Sequence, residues 1–162
     1  MELQDISEVI SICKEHLSKS NSFNTEAESY LVQYALIYIC NRYEQRIREL
    51  LSNCASHIDD KSVSSYVRAS APLVYRGLKI GELSKILGYF GESYRALFSE
   101  FVEDNQNVKQ AYDNILTNRN AVAHRGGVSV TFGDLEADFV ASKGLIEELS
   151  KILENMRLRV DA

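Results

Sequence analysis

An arginine, an amide and a histidine that could act together on a phosphodiester lie close to one another in the chain. Arg119, Asn120 and His124 belong to the segment TNRNAVAHRGG, residues 117–127. The guanidinium carries forked donors that match phosphate oxygens and can stabilise negative charge in a transition state. The imidazole, whose ordinary pKa is about 6.5, can accept or donate a proton at neutral pH. In RNA the neighbouring 2′-hydroxyl is a built-in nucleophile, so this pair would need no metal ion or other cofactor.

Helical geometry decides which of these side chains can meet. Residues of an α-helix are about 100° apart around the axis, so Asn120 and His124, four apart, share one face. The Asn120 amide is therefore placed to hold the imidazole in one tautomer. Arg119 and His124, five apart, are separated by about 140° around the axis and about 7.5 Å along it. Either the arginine side chain curls around the helix, or a second copy of the segment supplies one of the two groups.

The spacing of arginine and histidine alone does not establish a catalytic site, because it arises by chance in many proteins. The alternative is an ordinary helix end, in which Arg119 and Arg125 are solvated and His124 caps backbone carbonyls. A helix C-terminus favours a protonated ring, so the roles of base, acid and phosphate ligand all stay open for His124. The chain carries no glycine-rich phosphate loop, zinc-ligand spacing or Ser/His/Asp arrangement.

The elements that position this segment are predicted to be helices, because apolar residues recur at helical spacing and the chain has a single proline. Thr25 and Glu28 have the form of a capping box before the longest helix. Around Pro72, residues 69–80 predict an irregular connection. The predicted fold is an all-α, up-and-down bundle of five to seven helices in one domain, residues 1–162. The predicted helices cover about 3–17, 26–57, 59–67, 81–90, 92–103, 105–124 and 131–157.

Composition narrows the class of protein. The chain has 162 residues, is 45% hydrophobic and carries a formal net charge of −5, so it is not a general binder of polyanions. Three cysteines without metal-ligand spacing predict small buried residues in a reducing cytoplasm. Met1 is followed by an acidic residue and no long apolar run, so we expect neither a signal peptide nor a membrane span.

Charged and aromatic residues outside the segment allow two interpretations each. Arg42 and Arg46 share a face of the long helix and could form part of an RNA-facing patch; the alternative is a solvated face with pairs inside the helix. Glu44 could pair with Arg119 and hold it. Nine tyrosines invite base stacking, but most stand at helical spacing beside aliphatic residues, which favours core packing.

The segment from Arg119 to Gly126 resembles the signature of the HEPN superfamily. In that signature an arginine, a polar residue, a few small or apolar residues and a histidine close a core helix. Arg-Asn-x-x-Ala-His is particularly similar to the RiboL-PSP-HEPN branch, and the order of long early helix, variable middle, signature helix and long final helix agrees. This chain differs in placing Arg125, a further candidate for RNA binding, between His124 and Gly126, where relatives often have glycine directly.

The resemblance implies a helical bundle and a homodimer that brings two signature segments into one cleft. It also implies a metal-independent endoribonuclease, of the kind used in toxin–antitoxin and anti-phage defence systems. Carried over by position, Arg119 and His124 would be catalytic and Asn120 supporting, with RNA as substrate and an antitoxin or defence protein as partner. Two other interpretations are a non-catalytic module that binds a protein or a nucleotide, and a toxin controlled by a nucleotidyltransferase antitoxin.

Overall fold

The computed structural model describes residues 3–55, 60–74, 79–125 and 129–160, with side chains left undescribed at 55, 71–74, 124–125 and 155–160. Within these ranges the chain forms helices and no strand, which confirms the all-α prediction. The seven helices found there reach the upper end of the predicted number. They are α1 (Gln4–Lys19), α2 (Glu26–Ala55), α3 (Lys61–Val74), α4 (Ile80–Phe90), α5 (Glu92–Asp104), α6 (Gln106–Arg125) and α7 (Phe132–Val160).

The course of α3 differs from the sequence prediction. An irregular connection was expected over 69–80, but α3 continues through Pro72 and ends at Val74. A proline lacks the N–H that would bond the carbonyl four residues earlier, here that of Arg68. Because Pro72 stands two residues before the end of α3, the loss affects only the last turn and leaves the preceding helix intact. Residues 75–78 of the expected connection lie outside the described ranges.

Backbone contacts divide the chain into two compact units. The first unit combines the chain up to Arg42 with Asn107–Lys143, and the second combines Tyr43–Gln106 with the chain from Gly144. The three divisions fall inside α2, after the first residue of α6 and inside α7, so neither unit is a continuous stretch of sequence. The single domain over residues 1–162 stays a prediction. No helix in the described part of the chain is long and apolar enough to cross a membrane.

The core of the first unit follows the predicted apolar stripes. On α1, Ile6, Ile10, Cys13 and Leu17 are all at most 5% exposed, at the spacing that places residues on one helix face. Burial of each of the three aliphatic side chains contributes about 1.5–3 kcal/mol. The other helices of this unit add Val32, Ala35, Leu36, Ile39, Cys40, Ala111, Tyr112, Ile115, Phe132, Leu135 and Phe139.

The second unit contains a hairpin of α4 and α5 that turns at Gly91. Gly91 has φ 156° and ψ 143°, a region that side-chain-bearing residues rarely adopt. A Cβ atom at this position would also lie 3.3 Å from Cδ2 of Tyr94, so the turn requires glycine. Buried residues of the hairpin are Leu83, Ile86, Leu87, Phe98 and Val102.

The tyrosines depart from the expected core packing. Tyr43 and Tyr112 are each 1% exposed, as predicted, but four others are largely in solvent. The prediction is therefore wrong for half of the eight tyrosines that the structure describes. Helical spacing beside aliphatic residues is therefore not enough to predict that a tyrosine is buried. The exposed tyrosines are Tyr30 (61%), Tyr34 (52%), Tyr66 (73%) and Tyr89 (74%).

Glu28 is a buried carboxylate that joins the beginnings of two helices. A capping box would make Glu28 accept from the backbone N–H of Thr25. Instead its Oε2 accepts from the Asn24 backbone N–H at 2.5 Å and its Oε1 accepts from the Phe132 N–H at 2.7 Å. The Thr25 hydroxyl donates to the Ser22 carbonyl. The carboxylate therefore fixes the start of α7 against the start of α2, both in the first unit.

We expect Glu28→Ala to lower the free energy of unfolding by about 2–4 kcal/mol, because two backbone donors lose a charged acceptor in a buried setting. Urea unfolding followed by circular dichroism measures the change. Glu26→Ala is the matched control: Glu26 lies in the same first turn but is exposed, and its replacement should cost less than about 0.5 kcal/mol. Equal effects of the two substitutions would contradict this role of Glu28.

Candidate functional site

The signature residues lie in the C-terminal half of α6, as predicted. Arg119, Asn120, His124 and Arg125 all belong to this helix, which ends at Arg125. Gly126 and Gly127, which follow α6 in the sequence, lie outside the described residues. The side chains of His124 and Arg125 are likewise outside them, so the structure gives the backbone placement of these two residues and no more.

Arg119 continues the buried stripe of α6. Tyr112 and Ile115 are at most 1% exposed, and Arg119 follows Ile115 at i+4 and Tyr112 at i+7, spacings that keep residues on one face. Its side chain is half-buried, whereas that of Asn120 is exposed. A guanidinium thus stands where the helical pattern calls for an apolar residue. This position holds Arg119 at the border between core and solvent.

Arg119 and Asn120 contact each other through their side chains. Nη1 of Arg119 donates to Oδ1 of Asn120 at 3.4 Å, a long hydrogen bond by the usual geometry. Because Oδ1 of the amide accepts this bond, Nδ2, which can only donate, is the amide atom that could contact another group. A donor suits a phosphate oxygen or an unprotonated ring nitrogen. The predicted bond from Asn120 to His124 stays a prediction, as does the distance from Arg119 to the imidazole.

One turn before Arg119, α6 is joined to α7 by a polar contact that sequence reasoning missed. Nδ2 of Asn114 donates to Oδ1 of Asp138 at 3.1 Å. Partial burial raises the pKa of Asp138; the bond from Asn114 opposes this shift, and Asp134 adds to it. The sequence contained one signal for this contact. Asp138 stands between Leu135 and Phe139 on α7, both of which are buried, and a carboxylate at such a position needs a polar partner.

We expect Asp138→Asn to stabilise the protein at pH 7 by roughly 0.2–1 kcal/mol, the scale of partly exposed charges. A carboxyl whose pKa is raised in the folded state binds protons more tightly there than in the unfolded chain, so its contribution to stability falls as pH rises through that pKa. The gain should therefore shrink as the pH is lowered from 7 toward 4, as urea unfolding at several pH values would show. Glu147→Gln, at an exposed site on the same helix, should show no such trend.

Arg42 is paired with an acid from the first helix. The Arg42 guanidinium forms an ion pair with Asp5, and the Tyr38 hydroxyl donates to the same carboxylate at 3.1 Å. Desolvation, followed by the bond to Asp5, raises the pKa of Tyr38. These three side chains tie α1 to α2 within the first unit. A role for Arg42 in binding RNA stays a prediction.

The arginines farther along α2 are paired within that helix. Nη2 of Arg48 lies 3.1 Å from Oε2 of Glu44, and Nη1 of Arg46 lies 3.8 Å from Oε2 of Glu49. These contacts agree with the alternative of pairs inside the helix, in which acids balance the basic residues. The pairing of Glu44 with Arg119, and an RNA-facing role of Arg46, stay predictions.

Comparison with known proteins gives one result that bears on the whole chain. The family model of RiboL-PSP-HEPN matches residues 1–155. Neither the comparison with curated proteins nor the comparison with solved structures gave a match. The family match extends far beyond the signature segment and takes in nearly all of the described helices. The chain therefore belongs to the RiboL-PSP-HEPN family, as its resemblance in sequence predicted.

Proposed function

We propose that this protein is a metal-independent endoribonuclease whose centre is formed by Arg119, Asn120 and His124. The observation that carries the proposal is the contact between the Arg119 guanidinium and the Asn120 amide on α6. Arg119 lies at the border of the core, and the same helix carries His124. Membership of a HEPN family supports a nucleic-acid or nucleotide role for such a segment. RNA is the substrate class that supplies its own nucleophile.

The proposed reaction is an internal transesterification. The imidazole of His124 takes the proton of a ribose 2′-hydroxyl, whose oxygen attacks the adjacent phosphorus. The guanidinium of Arg119 stabilises the charge that grows on the phosphoryl oxygens, and Nδ2 of Asn120 orients the phosphate or the ring. The bond from phosphorus to the 5′-oxygen breaks, and that oxygen takes a proton from an imidazolium. The products carry a 2′,3′-cyclic phosphate and a 5′-hydroxyl.

We propose that the enzyme is a homodimer with a composite centre, in which each active centre takes residues from both protomers. Arg119 and His124 are five positions apart in the sequence, which places them about 140° apart around the helix axis. In a two-fold dimer, Arg119 of one protomer faces His124 of the other, and both groups reach one phosphate. We propose further that the enzyme acts in the cytoplasm as a toxin or anti-phage effector, restrained by an antitoxin or a defence-system protein.

Incubation of the purified protein with RNA in EDTA tests the proposal. We expect cleavage without added metal, with 3′ ends that resist alkaline phosphatase until the cyclic phosphate is opened. Cleavage that depends on a divalent cation, or that leaves 3′-hydroxyl ends, would contradict the mechanism.

The second candidate is a non-catalytic module that binds a protein or a nucleotide. The net charge of −5 and the acids that pair with the arginines of α2 favour it, because both weaken general attraction for RNA. It predicts intact RNA in the same assay. Induced expression in a bacterial host, beside His124→Ala, separates the two candidates in cells: growth arrest by the natural sequence alone supports the nuclease.

A further inference from the structure

A groove on the α4–α5 hairpin is lined by an aromatic ring and by basic side chains from both helices. Its volume is about 510 Å³, within the range of roughly 300–1,000 Å³ in which small ligands bind. The groove lies wholly in the second unit, on residues that the signature does not include. Its lining includes Ser84, Lys85, Gly88, Tyr89, Glu92 and Arg95.

The spacing of residues on α4 creates this groove. Ser84, Lys85, Gly88 and Tyr89 repeat at i, i+1, i+4 and i+5, while Leu83, Ile86 and Leu87 are buried. A Cβ atom at Gly88 would lie 3.3 Å from Cδ of Arg95. The glycine therefore lets the aliphatic stem of Arg95 lie close to α4, which brings a cation from α5 to the polar side of α4.

Tyr89 offers a stacking surface beside a cation. Its side chain is 74% exposed, and Nζ of Lys85 lies 6.0 Å from its ring centroid. Single exposed aromatic residues are common on protein surfaces, so exposure alone carries no meaning. Here the ring lines a groove with a cation on each of two helices, which is the arrangement by which single-stranded nucleic acid is bound: bases stack on aromatic rings and phosphates lie against basic residues.

Glu92, an acidic residue that lines the groove, is only weakly paired with Arg95. Nη1 of Arg95 lies 3.5 Å from Oε2 of Glu92, and the two side chains are 53% and 76% exposed. Exposed ion pairs of this kind contribute little to stability and exchange readily. A phosphate can therefore replace Glu92 as the partner of Arg95, since its oxygens match the forked donors of a guanidinium.

We propose that this groove binds one unstacked nucleotide of a single-stranded RNA. The base stacks on Tyr89, and the phosphate lies between Nζ of Lys85 and the Arg95 guanidinium, with the Ser84 hydroxyl as a further donor. The inference rests on the proposed ribonuclease function and names a separate place where the substrate is held. Such a local site supplies attraction that a chain with net charge −5 does not provide as a whole.

Fluorescence anisotropy with a labelled single-stranded RNA of about 12 nucleotides tests the stacking, with every variant made in a His124→Ala background so that the RNA is not cleaved. We expect Tyr89→Ala to raise Kd about tenfold, the usual effect of losing one base–aromatic stack. Tyr66→Ala is the matched control, because Tyr66 is 73% exposed and lies on α3; it should leave Kd within about twofold. Equal effects of the two variants, or no RNA binding at all, would overturn the inference.

Charge variants test the phosphate contacts, because two substitutions should change the affinity for RNA in opposite directions. Arg95→Gln should weaken binding and reduce the salt dependence of log K by about 0.7, whereas Glu92→Gln should strengthen binding because it releases Arg95. A duplex of the same sequence should compete poorly, since its bases are already stacked. Weaker binding by Glu92→Gln, or equal competition by the duplex, would overturn the inference.

The results distinguish failure of the groove from failure of the nuclease. If RNA binding depends on Tyr89 but the natural sequence does not cleave RNA, the proposed ribonuclease is refuted and the RNA-binding groove is supported. If the natural sequence cleaves RNA but the Tyr89 and Tyr66 variants bind it equally, the groove is refuted and the ribonuclease is supported.

Discussion

Replacement of His124 or Arg119 by alanine is expected to lower the rate of RNA cleavage in EDTA at least about 100-fold, because loss of a general acid–base group or of a charged transition-state donor typically has this effect or a larger one. Arg119→Lys should keep only part of the activity, since lysine retains the charge but not the forked donors. Single-turnover cleavage of a labelled RNA measures all three variants.

The same variants need controls for folding and for charge. Circular dichroism and size-exclusion chromatography should show unchanged helical content and unchanged association. Arg68→Ala removes an exposed arginine from α3 and should leave the cleavage rate within about twofold, as surface substitutions usually do. Full activity in both His124→Ala and Arg119→Ala would refute the proposed centre.

A heterodimer of Arg119→Ala and His124→Ala chains is expected to regain about half of the natural activity, if each centre takes its arginine from one protomer and its histidine from the other across a two-fold axis. One of the two centres then contains both natural side chains, whereas either variant alone has none. Co-expression with two different tags, followed by purification on both, provides this heterodimer for the cleavage assay.

The reciprocal heterodimer makes the comparison decisive. A natural chain paired with a chain that carries both substitutions has no complete composite centre, so we expect it to be inactive. A centre formed within one chain predicts the opposite pair of results: about half activity here and none in the first heterodimer. These opposite results would refute the composite centre but would not contradict Arg119 and His124 as the catalytic residues.

Most of the secondary structure could be predicted because it depends on local pattern. The stripe from Ile6 to Leu17 and the turn at Gly91 follow from helical periodicity and from the conformational freedom of glycine. The course of α3 through Pro72 did not follow, because the local preference of one residue does not fix where a helix ends. The partners of Glu28 could not be predicted either, since Phe132 lies 104 residues away in the sequence.

For the candidate site, only the placement of its residues on one helix is confirmed. That Arg119, Asn120 and His124 lie on one helix followed from spacing, and the half-buried setting of Arg119 follows from its place on the stripe of Ile115. The contact between the Arg119 and Asn120 side chains was not foreseen, because neighbours on a helix point in different directions and meet only through particular side-chain torsions. The pairing of Arg42 with Asp5 could not be predicted from the sequence either, since Asp5 belongs to another helix.

The way the first unit is assembled has a consequence for synthesis of the protein. This unit combines the chain up to Arg42 with Asn107–Lys143, and the bond between Glu28 and the Phe132 amide spans most of the sequence. A nascent chain that has just exposed α6 already holds α1 and the first part of α2 but still lacks α7, so the helix with Arg119 emerges before the first unit is complete. Domains fold as units during translation. Maturation of the unit that carries Arg119 is therefore delayed until the residues up to Lys143 have been translated.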